Sequence, residues 1–146
     1  MSLFAFFAIT IMVGIIVFKD WVPTPLNRNI DGMNVKERLP STFIHGLLGI
    51  GFAIANLLVW KWVILVGAIW YSVVLLSAIR NWWIAYFFNI HQGEITPEIY
   101  EQHYSRNVRI LPRFNRNPVI PDVQHMLIHV SVLLAVIASW SSFFAA

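Results

Sequence analysis

The chain has 146 residues, 58% of them hydrophobic and only 12% charged, against roughly a quarter charged in an ordinary soluble domain. One small core cannot bury that much apolar surface, so lipid is the expected solvent for most of the chain. There is no cysteine, which excludes disulfides, thiolate metal sites, iron–sulfur clusters and cysteine nucleophiles. The formal charge of +3 is small, and where the charges fall matters more than their sum.

The expected fold is an all-α integral membrane protein. It is read as one four-helix transmembrane domain over residues 1–146, with spans at about 2–18, 42–60, 62–80 and 123–144. Each apolar run is close to the ~20 residues that cross a bilayer as a helix, the one state that satisfies its own backbone in lipid without closing a barrel. The first run has no positive n-region and no small-residue cleavage site, and Lys19-Asp20-Trp21 follows it directly, so it is read as a retained span and not a signal peptide.

The second span is expected to begin at Pro40 and Ser41, with Ser41 as cap ahead of His45. Within it Gly49 and Ala53, four residues apart, would let a neighbouring helix approach, and Asn56 is expected to bond across to another helix. The turn "WKW" leads into the third span, which ends at Arg80, a residue placed to snorkel. In the following connection Thr96 reads as a helix N-cap with Pro97 at the first position. A short amphipathic helix is predicted over about 97–105, with Tyr100, His103 and Tyr104 on one face. The stretch "SRNVRILPRFNRNP" is expected to be irregular and to hug the cytosolic surface. "IPDVQH" then opens the fourth span, with Asp122 as its cap.

Of the ten basic residues, nine fall in or beside the connections 19–41 and 81–121; only Lys61 lies in the tight second turn. The positive-inside rule makes both long connections cytosolic and both termini external, giving two helical hairpins in the cell membrane. Trp60, Trp62 and Trp140 would mark the outer interface, and Trp21, Trp82, Trp83 and Tyr86 the inner one.

This map puts all five histidines at one level. Asp122, His125 and His129 have the spacing i, i+3, i+7 and share one stripe of the fourth helix. If the second helix faces the fourth, His45 joins them. Neutral imidazoles ligate transition metals, His at i and i+4 can reach one ion, His45 can supply a third ligand, and Asp122, Glu101 or His103 can complete or orient the shell. Two of the histidines could instead grip a haem iron. The blander reading makes Asp122 a cap and the histidines packing groups. His-x3-His is a weak motif, and the residue after His125 is Met126, not the Glu that a zincin needs. The membrane-bound desaturases and hydroxylases hold two irons with many more histidines, in several boxes, so nothing is transferred from them. Arg106, Arg109, Arg113 and Arg116 are candidate contacts for lipid headgroups or a protein partner.

No phosphate loop, nucleophile elbow or dinucleotide fingerprint occurs, and nothing points to nucleic acid. Three functional readings remain. One is a small membrane enzyme or redox protein with a metal or haem at the His/Asp site, acting on a lipid-phase molecule. Another is a non-catalytic subunit or assembly factor docking through the Arg-rich loop. The third is a small self-associating transporter.

Overall fold

The computed structural model describes residues 1–146 except Gly32, Asn115 and the side chain of Asn29. Among the described residues the chain is all helical, with no strand. Four helices are long and apolar enough to cross a membrane: α1 (Ser2–Trp21), α2 (Val35–Leu57), α3 (Lys61–Phe88) and α5 (Val123–Ala145). A short helix α4 (Pro97–His103) and a 3-10 turn at Arg28–Ile30 lie in the connections.

Two helix starts follow the expected chemistry. The Asp122 side chain accepts from the His125 backbone N–H and opens α5. Thr96 accepts from Ile99 N–H and opens α4, with Pro97 at its first position. The start of α2 does not follow. Asn34 and Glu37 form a reciprocal capping box and begin the helix at Val35, so Pro40 and Ser41 lie inside it. Such a box satisfies two otherwise orphaned N–H groups, which lets the helix start in the polar stretch ahead of the apolar run. A π-helical segment, Thr42–Leu47, follows Pro40 and contains His45. A second π segment, Ile79–Trp83, carries α3 beyond the expected end of its span to Phe88, where Asn89 closes it in the left-handed conformation (φ 57°).

Helix α1 packs along α2 and α5, α5 packs along α3, and α2 meets α3. The shared core contains Ile9, Met12, Val13, Phe52, Tyr71 and Val132. The expected close approach at Gly49 is present: a Cβ there would fall on the Val13 side chain of α1. Gly67 on α3 serves the same purpose, since its Cβ would stand 3.0 Å from the Phe52 ring. Asn56 differs from expectation. It donates to the Phe52 carbonyl of its own helix at 2.9 Å.

A second apolar core joins the end of α3 to the connection that follows it. Trp82, Ala85 and Tyr86 pack against Ile95, Tyr100, Val119 and Ile120. Trp82 and Tyr86 are therefore buried, at 5% and 4% exposure, and are not aromatic anchors at a membrane interface. Of the predicted face, Tyr100 is buried, Tyr104 half-buried and His103 exposed, so His103 stands at its open edge. The positions of Tyr100 and His103 are only about 60° apart round the helix, so the boundary between the packed and the open side of α4 falls between them.

Candidate functional site: the histidine end of the bundle

The first turn of α5 carries the site. The Asp122 carboxylate is fully buried and holds three hydrogen bonds. Its Oδ1 accepts from the His125 backbone N–H at 2.8 Å and faces His125 Nδ1 at 2.9 Å. Its Oδ2 accepts from Asn107 Nδ2 at 2.7 Å. Burial pushes this carboxyl up, but the hydrogen bonds and charge of His125, with the amide of Asn107, outweigh it and hold Asp122 below the ordinary carboxylate range. An ionised carboxylate only accepts, so His125 carries its proton on Nδ1.

The His125 ring lies over Trp82 with centroids 3.9 Å apart, and Tyr104 meets it edge-on at 5.1 Å. Burial, with the negative charges of Asp122 and Glu94, raises the Tyr104 hydroxyl above its ordinary pKa and keeps it neutral. One turn deeper, His129 is 8% exposed. Its Nδ1 accepts from Trp83 Nε1 at 3.1 Å. An indole N–H can only donate, so a neutral His129 carries its proton on Nε2.

That tautomer bears on metal binding. An imidazole ligating through Nε2 needs its proton on Nδ1, where a partner can accept it. Trp83 imposes the opposite arrangement on His129. The other expected ligands are elsewhere. His45 is half-buried, and the charges acting on it are those of Lys19 and Asp20 at the end of α1. This follows from the packing: α5 lies against α1 and α3, so α2 and α5 do not face each other and His45 does not join His125 and His129. His103 is exposed beside Tyr104. Among the described residues, no three His, Asp or Glu side chains come together as a metal site. Neither His125 nor His129 lines the cavities of about 200–520 Å³ that open around the bundle.

What the cluster does is fasten the connection 91–121 to the helices. Asn107 ties its middle to Asp122. Asn117, fully buried, bridges the Ala85 carbonyl and the Val119 N–H. Tyr86 donates to the Pro112 carbonyl at 2.9 Å, and Arg80 donates to the Gln92 carbonyl at 2.7 Å. Arg80 is thus a fastening group. Sequence reasoning missed Asn107 and Asn117, for nothing in their spacing distinguishes them from other loop asparagines. It also missed Trp83 as the partner of His129. The two π segments were invisible to it as well.

Arg106, Arg109, Arg113 and Arg116 are all exposed on this fastened segment. Arg109 reaches the Tyr100 hydroxyl only at 3.5 Å, and none of the four pairs with a carboxylate among the described residues. Between the two long connections lies a cavity of about 400 Å³, with Asp20, Arg38, Glu94 and His103 in its walls. No protein-family model matches the chain, and neither does any curated protein or solved structure.

Proposed function

We propose that this is a non-catalytic subunit or docking platform of a membrane complex. Its four long helices cross the membrane as two hairpins, with both long connections on the cytosolic side and both termini outside. The charge bias of the connections supports that orientation. So does the cavity the two connections share, which puts them at the same end of the bundle.

The single observation that carries the reading is a loop fastened by buried side chains that presents cations without ion pairs. A flexible basic tether would need no buried asparagines. Here Asn107, Asn117 and a small core fasten the segment, while four exposed guanidinium groups make no ion pair among the described residues, and Arg109 alone reaches a partner, the Tyr100 hydroxyl. Pre-organised arginines suit bidentate recognition of carboxylates, and the partner is an acidic protein surface at the membrane. The histidines hold the platform and are not its chemistry.

The test is Arg109→Glu with Arg113→Glu, read by the size of the complex on native electrophoresis of extracted membranes. The double variant is expected to insert normally and run as a smaller species, while His103→Ala runs as wild type. A complex of unchanged size in the double variant would refute the docking role. Loss of the complex only when anionic lipid is removed, with the protein partner irrelevant, would assign the arginines to headgroups instead.

A further inference from the structure

A cavity of about 390 Å³ runs along the seam between α1 and α5, within the size range of small-molecule sites. Ile11, Gly14 and Phe18 line it at spacings of three and four, one face of α1 over two turns. Lys19 lies at the loop end of that face, and the segment containing Asn27 closes over it. The cavity wall is therefore almost wholly apolar, with its few polar residues gathered at one end.

The polar groups at that end are nearly all spent. Lys19 Nζ is neutralised by Asp20 at 2.6 Å. The Asn27 amide donates to the Lys19 and Val22 carbonyls and accepts from Thr24. Gln124 is the exception. It lines the cavity, is 4% exposed, and neither Nε2 nor Oε1 of its amide has a partner. A buried amide left in that state is unfavourable. It sits on the first turn of α5, where a leucine would serve packing better.

We infer that this seam binds a single-chain neutral lipid, with its chain along Ile11, Gly14 and Phe18 and an uncharged head that both accepts from and donates to Gln124. A hydroxyl beside a carbonyl, as in a monoacylglycerol, supplies both halves of that bond. A charged head is disfavoured because Lys19 and Asp20 cancel each other. The inference needs the helices in lipid but does not depend on the arginine platform.

The probe is 1-monooleoylglycerol, titrated against the full chain in detergent and followed by native mass spectrometry and thermal unfolding. One lipid per chain is expected, with saturation and a raised melting temperature. Gln124→Leu is expected to weaken binding about tenfold while the unliganded protein melts no lower than wild type. Gly14→Phe is expected to abolish binding. A Cβ at Gly14 meets nothing within 4 Å, so the new ring has room to enter the cavity. Unsaturable binding, or equal affinity in both variants, would overturn the site. Oleate bound as tightly as the glyceride would overturn the neutral head. Unliganded Gln124→Leu melting well below wild type would show an amide already satisfied within the protein, and would overturn the inference too.

Discussion

Replacing Asp122 with alanine tests whether the histidine cluster is a fastening. The carboxylate is fully buried and ends three hydrogen bonds, at 2.7, 2.8 and 2.9 Å. Loss of an N-cap costs about 1 kcal/mol. The amide of Asn107, itself 3% exposed, loses its carboxylate partner, and a hydrogen bond to a charged group contributes roughly 1.5–3 kcal/mol. His125 Nδ1 loses its acceptor too, but its side chain is 14% exposed and recovers part of that bond from water. The total is about 3 kcal/mol, which at ~2–4 °C per kcal/mol for a chain of this size lowers the melting temperature by about 10 °C.

The pH dependence has a definite sign. The folded-state pKa of Asp122 is depressed, so near the ordinary carboxylate value of about 4 the unfolded state binds more protons. Its contribution is complete above that pH and is lost as pH falls through the depressed folded value. Wild type is expected to lose stability on acidification below about pH 4, and Asp122→Ala to show a shallower loss. Hydrogen exchange should quicken across 97–121 and in the first turn of α5, with the far half of the bundle unaffected. A melting temperature within about 2 °C of wild type, with unchanged exchange over 97–121, would refute the fastening role, given the ~10 °C expected.

Two further outcomes follow from packing and from the tautomers. Gly67→Val presses a branched side chain against the Phe52 ring, 3.0 Å from where its Cβ must sit; overpacking of this kind costs about 1–3 kcal/mol, and thermal unfolding in detergent should show it, whereas Gly51→Ala, at a position with no neighbour within 4 Å, should melt no lower than wild type. Elemental analysis of protein purified without chelator is expected to find no transition metal that His125→Ala and His129→Ala remove; a near-stoichiometric metal lost in both would show that His129 ligates despite the Trp83 bond.

The helices were legible because each carries an apolar run near the ~20 residues that a bilayer crossing requires and because caps are local chemistry. Asp122 and Thr96 each needed only the few residues around them. The capping box at Asn34 and Glu37 was equally local, but it lies in a polar stretch that a search for apolar runs passes over. Helix neighbours were not legible. On α1, Ile9, Met12 and Ile16 are buried while Phe7, Ile11 and Phe18 are exposed, yet the two sets are alike in hydrophobicity. A helix solvated by lipid has no polar face to reveal its packed one. The placement of His45 against His125 required a pairing of α2 with α5 that no periodicity could supply.

What does carry pairing information in such a chain is the buried polar residue. On the long helices exposed and packed positions are equally apolar, whereas a buried amide or carboxylate must find its partner inside the protein or on a ligand. Asp122 finds Asn107 across fifteen residues, and Asn117 finds Ala85 across thirty-two. Those two bonds decide where the connection 91–121 lies more sharply than any of its apolar contacts. By the same logic Gln124, whose amide finds no partner, is the residue on the first turn of α5 with the strongest claim to a ligand. His125 and His129, which drew notice first, have hydrogen-bond partners in Asp122 and Trp83. A satisfied polar group explains the fold, and an unsatisfied one at the wall of a cavity points to what the fold binds.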